Sequence, residues 1–281
     1  MLYRVSGNGL DKPSYIMGTH HLASVGFVEK VKGVKEALAE TAQVCGEIVF
    51  KDASNPDTLK MLSGEMSLPK GTTLKDILSE DEYGRLDAFL AETMGVGFSN
   101  LQVAAQFGGL KPSALQTQLT VLLFLVSHMG EFDPSNTFDQ YFQAQAAANN
   151  EPCIGLETVA FQTGLLYNGV SMERGRDLLM CLVDNKDFYK ECMDSVTSAF
   201  YSQDLDALEK SMNAKLGGKC DYTDEEEHAM IYGRNARWAA ELPAIMSKAP
   251  TFFAVGVGHL PGEKGLLNLL RESGYTVEGV E

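Results

Sequence analysis

Two segments place an imidazole three residues after a glycine: Gly18-Thr19-His20-His21 and Gly256-Val257-Gly258-His259. Each follows a short apolar run, Tyr15 to Met17 in one case and Thr251 to Val255 in the other, and each precedes residues with helical spacing. In an open α/β sheet this junction, at the carboxyl end of a strand, is where ligands bind. A neutral imidazole there is the commonest transition-metal ligand. One such histidine is more often a hydrogen-bonded structural residue, but two in matching positions point to a site. Adjacent residues on an extended chain face opposite ways, so spacing from glycine selects His21 as the counterpart of His259 and leaves His20 to pack or line the rim. His128, in an apolar helix, and His228, after three glutamates on a solvated one, are not candidates.

Carboxylates occur in matching places. Glu47 interrupts the apolar run Val44 to Phe50, and Glu157 ends the run Cys153 to Glu157. An ionised side chain there is expensive unless it is paired, hydrogen-bonded or bound to a metal. His21, Glu47, Glu157 and His259 together would suit a divalent metal, Mn²⁺ or Co²⁺ before Zn²⁺ or Fe²⁺, with open positions for water. The competing reading is a pair of buried ion pairs with Arg234 as the base. Arg234 and Asn235 lie in the helical segment IYGRNARWAAEL and have the chemistry to hold a substrate or a developing oxyanion. Gln162 and Asp139 have the reach to support the site or to be ordinary helix residues. HExxH, GxSxG, Walker A and a strand followed by GxGxxG are all missing, which leaves metal-assisted chemistry.

The elements that must position these residues can be read coarsely. Leu2 to Val5, the turn formers of Ser6 to Pro13, and Tyr15 to Met17 predict a hairpin. A helix over Glu29 to Gln43 and a strand over Val44 to Phe50 follow. Residues 57–150 read as a helical insertion, with an apolar helix from Leu115 to Met129, and 173–242 as a second helical segment with Thr223 as an N-cap. The end of the chain repeats the pattern of its start: strand Thr251 to Val255, loop to His259, helix Lys264 to Glu272, Gly274 as a cap, and strand Tyr275 to Val280. The expectation is one α/β domain over 1–281, with a mixed central sheet flanked by helices and built from two similar strand-loop-helix-strand halves.

Composition excludes whole classes of function. With 281 residues, 44% hydrophobic and 22% charged, the chain is globular and not disordered. No apolar run approaches the roughly 20 residues that span a bilayer. A formal charge of -15 repels phosphate backbones, so nucleic acid is not an expected partner. The five cysteines are widely spaced and include no CxxC pair, so thiols in the core are expected. Residues 1–5 show neither a basic n-region nor a long apolar h-region, so a signal peptide is absent or already removed, and only removal would place the protein outside the cytoplasm or on a lipid anchor.

At these residues the sequence resembles the TraB/PrgY/GumN family, which includes the Tiki metalloproteases and is related to the EreA/ChaN group. The resemblance runs through YRVSGNGLDKPSYIMGTHHL, CGEIVF, TFDQYFQAQA, CIGLETVAFQ, GRNARWAAEL and FFAVGVGHLPGEKGLLNLLRESGYTVE. It implies a metal-dependent peptidase acting on a peptide or protein. Its metal site would be His21, His259, Glu47 and Glu157, with Glu47 as general base and Arg234 with Asn235 at the substrate. Through the same relatives it also implies an alternative, a haem- or peptide-binding protein without turnover. Gly233 stands where members of the family often carry an acidic residue.

Overall fold

The computed structural model describes residues 1–131, 133 and 135–280. Strands β1 (Leu2–Ser6) and β2 (Ser14–Thr19) form the expected hairpin. Its turn passes through Gly7, Asn8 and Gly9, all at positive φ, which glycine and asparagine tolerate best. β3 (Gln43–Gly46), β4 (Cys153–Gly155), β5 (Thr251–Gly256) and β6 (Thr276–Gly279) complete one mixed sheet in the order β4-β3-β5-β2-β1-β6. The fold is therefore α/β with helices flanking a mixed sheet, as the sequence implies.

The register decides where the chemistry lies. β2, β5, β3 and β4 are consecutive parallel neighbours, with Thr19 opposite Gly256, Gly46 opposite Ala254 and Gly46 opposite Gly155. All four end on the same edge of the sheet, and the chain leaving them carries, in turn, His21, His259, Glu47 and Glu157. β1 pairs antiparallel with β2, and β6 pairs antiparallel with β1 and closes the other edge.

Two strands are shorter than their apolar runs suggest. Pairing of β3 stops at Gly46, where a Cβ would meet Gln143 Nε2 at 2.8 Å and the Ile48 carbonyl at 3.1 Å, so the backbone turns away under a tight cover. Glu47 thus lies just beyond the strand and not within it, and Glu157 stands two residues past the end of β4. The helix expected over Glu29 to Gln43 divides into a 3₁₀ turn, Val25–Lys30, and a helix, Val34–Glu40, separated by Gly33 at φ 75°.

The sheet is buried by Ile16, Met17, Val44, Phe252 and Phe253 packing with Phe138 and Phe142 of helix Phe138–Ala148 and Trp238 and Leu242 of helix Gly233–Lys248. A second apolar cluster, including Leu86, Phe89, Leu119 and Leu179, joins the intervening helices. No helix among the described residues is long and apolar enough to cross a membrane.

The cysteines require a correction. Cys181 and Cys220 form a disulfide across 39 residues, tying helix Met172–Asp184 to the turn Gly218–Cys220, while Cys45, Cys153 and Cys192 remain thiols. Nothing in the spacing signalled it, because the pair meets only through tertiary structure. Arg174 fastens the same turn by donating to the Asp221 carbonyl at 2.6 Å and to Glu226 at 2.7 Å. Replacing both cysteines by serine is expected to lower the unfolding free energy in urea by about 2–4 kcal/mol. An unchanged urea midpoint would mean that Arg174 alone secures this turn.

Candidate active site

The edge where the four parallel strands end carries two buried carboxylates, and their charge must be met. Arg234, on helix Gly233–Lys248, meets both: its Nη2 donates to Glu47 Oε2 at 2.6 Å and to Glu157 Oε2 at 2.8 Å. Its Nε donates to Glu157, and its Nη1 donates to the Met230 carbonyl at 3.1 Å and to His259 Nε2 at 3.0 Å. Every N–H of this guanidinium is engaged, so Arg234 has no donor left for a substrate. From the sequence Arg234 is expected at a substrate; in the fold its side chain bridges two carboxylates.

The helix is built to present it. Its first turns are π-helical over His228–Tyr232, with Gly233 N–H donating to the His228 carbonyl, and Met230 offers its own carbonyl to the Arg234 side chain. Such π-turns recur at functional sites. Gly233 suits this turn, because a Cβ there would meet His228 Nε2 at 2.9 Å and the His228 carbonyl at 3.0 Å.

Glu157 is the more enclosed carboxylate, its side chain 1% exposed. Besides Arg234 it accepts from Gln162 Nε2 at 3.0 Å, from Trp238 Nε1 at 3.2 Å and from Arg237. So many donors leave it little capacity for anything else, and its place is behind Arg234. Arg237 and Trp238 were missed in the sequence. Their signal was the spacing Arg234, Arg237, Trp238, which puts all three on one helical face.

Glu47 is different. Its Oε2 accepts from Arg234 and from Gln162 at 2.9 Å, but Oε1 accepts only the Gly256 backbone N–H at 2.8 Å and stands 3.9 Å from His259 Nε2. Burial opposes its ionisation, yet any positive charge on His259, the Arg234 guanidinium and the Gly256 N–H outweigh burial and hold the carboxyl below its usual range. It is an ionised group with a lone pair to spare.

The two imidazoles share one arrangement. His259 is 4% exposed and its Nδ1 donates to Asn235 Oδ1 at 2.7 Å, which turns Nε2 toward Glu47. Burial lowers its pKa to about 4, so the ring is neutral at pH 7. Asn235, itself fully buried, gives its amide N–H to the Lys264 carbonyl at 2.8 Å. It is placed to orient His259, whereas from the sequence it is expected at the substrate. His21 Nδ1 lies 3.0 Å from Asp139 Oδ2, while Thr19 donates to Asp139 Oδ1 at 2.9 Å. Asp139 is buried and its Oδ2 has no well-aligned hydrogen-bond donor. The Asp139 carboxylate raises the His21 pKa to about 9, and the charges of Glu47 and Arg234 also bear on this ring. His20 packs as anticipated, its Nε2 2.9 Å from Thr197 Oγ1 and its ring edge-on to Phe200.

Metal-ligating histidines are commonly backed at one ring nitrogen by an oxygen; His259 Nδ1 has such a partner in Asn235, and His21 Nδ1 lies beside the Asp139 carboxylate. With the spare oxygen of Glu47, this donor chemistry fits a divalent cation. Among the described residues no three His, Cys, Asp or Glu side chains are already gathered as a ligand set, and Arg234 occupies the His259 lone pair.

Comparison with known proteins places the chain among relatives. A model of the TraB/PrgY/gumN family matches residues 1–279. Among curated proteins, the chain is 25% identical to the human protein named Metalloprotease TIKI1, covering 95% of this chain and 60% of that one. It is 24% identical to zebrafish Metalloprotease TIKI2, covering 95% and 58%, and 21% identical to a Nematostella vectensis Metalloprotease TIKI homolog, covering 96% and 65%. The chain thus spans about three fifths of the length of these relatives. No solved structure matches it.

Arg234→Met would leave Glu47 without its guanidinium and Glu157 with only Arg237 of its two, a loss expected to cost about 3–5 kcal/mol of stability in urea unfolding. Adding Glu157→Gln should recover part of that cost, whereas a near-neutral single variant would contradict the strut. In the metal-free protein, the His21 ring resonance is expected to titrate near pH 9 and to move toward 6.5 in Asp139→Asn. A folded pKa raised in this way adds stability that is complete below pH 6.5 and is lost as the pH climbs through about 9. Solvent screens the pair, because His21 is largely exposed.

Proposed function

The chain belongs to the TraB/PrgY/gumN family, and we propose that within it this protein is a metal-dependent hydrolase of peptide bonds. The observation that carries the reading is the matched pair of imidazoles, from neighbouring parallel strands, each held at Nδ1 by a side-chain oxygen. The metalloprotease names of the relatives support the reaction class.

His21 and His259 would hold the cation with Glu47 beside it, and Glu157 stands behind them as the anchor of Arg234. A bound divalent ion of the Mn²⁺ or Co²⁺ type would supply Lewis acidity and ease the loss of a proton from water. Glu47 Oε1 would take that proton as general base while the water oxygen adds to the scissile carbonyl carbon. The proton would then pass to the departing amine as the carbon–nitrogen bond breaks. Arg234 keeps Glu47 ionised for this step, and Asn235 keeps His259 in the tautomer whose Nε2 carries the lone pair.

The test is cleavage of a quenched-fluorescence peptide library with added Mn²⁺ or Co²⁺. His259→Ala and Glu47→Gln are each expected to lose at least about a hundredfold in rate, on the scale of a general base. Equal rates for wild type and His259→Ala would reject the proposal. So would cleavage that survives exhaustive chelation.

A further inference from the structure

Beside the site lies a cavity of about 690 Å³, within the range of ligand pockets. It shares the loop from Gly256 to Lys264 with the site: Gly258, next to His259, lines it, and so does Lys264, whose carbonyl holds Asn235. Met212 forms another wall, so close to Gly258 that a Cβ there would meet its terminal methyl at 2.7 Å. A second cavity, of about 260 Å³, shares Met212, Tyr222 and Glu227 with the first and extends to His20. Joined at these three residues, the two cavities make a trough whose lining is more apolar than polar.

Its lining is net acidic, although Lys264 lines the larger cavity and Lys215 the smaller. Three glutamates line the larger cavity, and of these Glu227 is paired with Lys215 at 3.2 Å. Glu209 lies against Gly262, where a Cβ would meet its Oε1 at 2.6 Å. Neither Glu209 nor Glu263 has an ion-pair partner among the described residues, and Lys264 is turned onto the Tyr232 ring, its Nζ 5.0 Å from the centroid. Uncompensated carboxylates in a concave, partly apolar wall attract a cation and reject an anion.

We propose, resting on the peptidase reading, that this trough selects substrates in which a lysine or arginine adjoins an apolar side chain, with Glu209 and Glu263 reading the charge and Met212 the apolar neighbour.

The test uses two labelled peptides that differ only by Lys or Glu at one position beside a leucine. Cleavage with added Mn²⁺ and binding by fluorescence anisotropy are measured for wild type and for Glu209→Gln/Glu263→Gln, in low and high salt. The expected result is kcat/KM and affinity at least about tenfold higher for the lysine peptide in wild type, with the ratio falling toward one in the double variant and in high salt. A ratio near one in wild type, binding of neither peptide, or a preference that survives in the double variant overturns the inference. Cleavage without charge preference removes the inference and leaves the peptidase reading standing. Charge-selective binding without cleavage does the reverse.

Discussion

One guanidinium organises the edge of the sheet where the parallel strands end. Four strands pointing the same way deliver two carboxylates to one small, poorly hydrated volume, and two such charges cannot both stay ionised without a cation between them. Arg234 is that cation. Its remaining donors reach His259 and the Met230 carbonyl, so the same side chain that pairs the glutamates also fixes the helix against the loop of the second imidazole. The π-turn before it, Gly233, and the ring of donors around Glu157 all serve the placement of this one group.

Around that strut the residues sort by what they have left to give. The Glu157 carboxylate is ringed by donors, and Asn235, fully buried, is engaged with His259 and the Lys264 carbonyl. Glu47 keeps a lone pair on Oε1, His259 offers a nitrogen only if Arg234 lets go of it, and each ring is approached from behind: His259 by Asn235 and His21 by Asp139. This division accounts for so many polar residues in one place: a few keep bonding capacity and the rest hold those few in position.

Much of this was legible locally. The glycine-to-histidine spacing located both imidazoles, because a strand end followed by a helix leaves a periodic signature on each side. The hairpin was equally plain from Asn8 and its neighbouring glycines. What could not be read depended on distant partners. Ile48, Val49 and Phe50 extend the apolar pattern of β3, yet pairing ends at Gly46 because Gln143, almost a hundred residues later, closes over the turn. The roles of Arg234 and Asn235 shifted for the same reason: each has side chain enough to reach a substrate, and only the folded chain shows those groups already spent on Glu47, Glu157, His259 and Lys264. The disulfide joins residues that no spacing rule relates.

The central claim is that the imidazoles of His21 and His259 serve a single divalent cation beside Glu47. Anomalous scattering from a crystal soaked in Mn²⁺ addresses it directly. The account predicts one strong peak bonded to the Nε2 atoms of both histidines, with the Arg234 hydrogen bond to His259 released and its bonds to Glu157 kept. A peak bonded to only one of the two rings, or none while Arg234 still donates to His259, would contradict it.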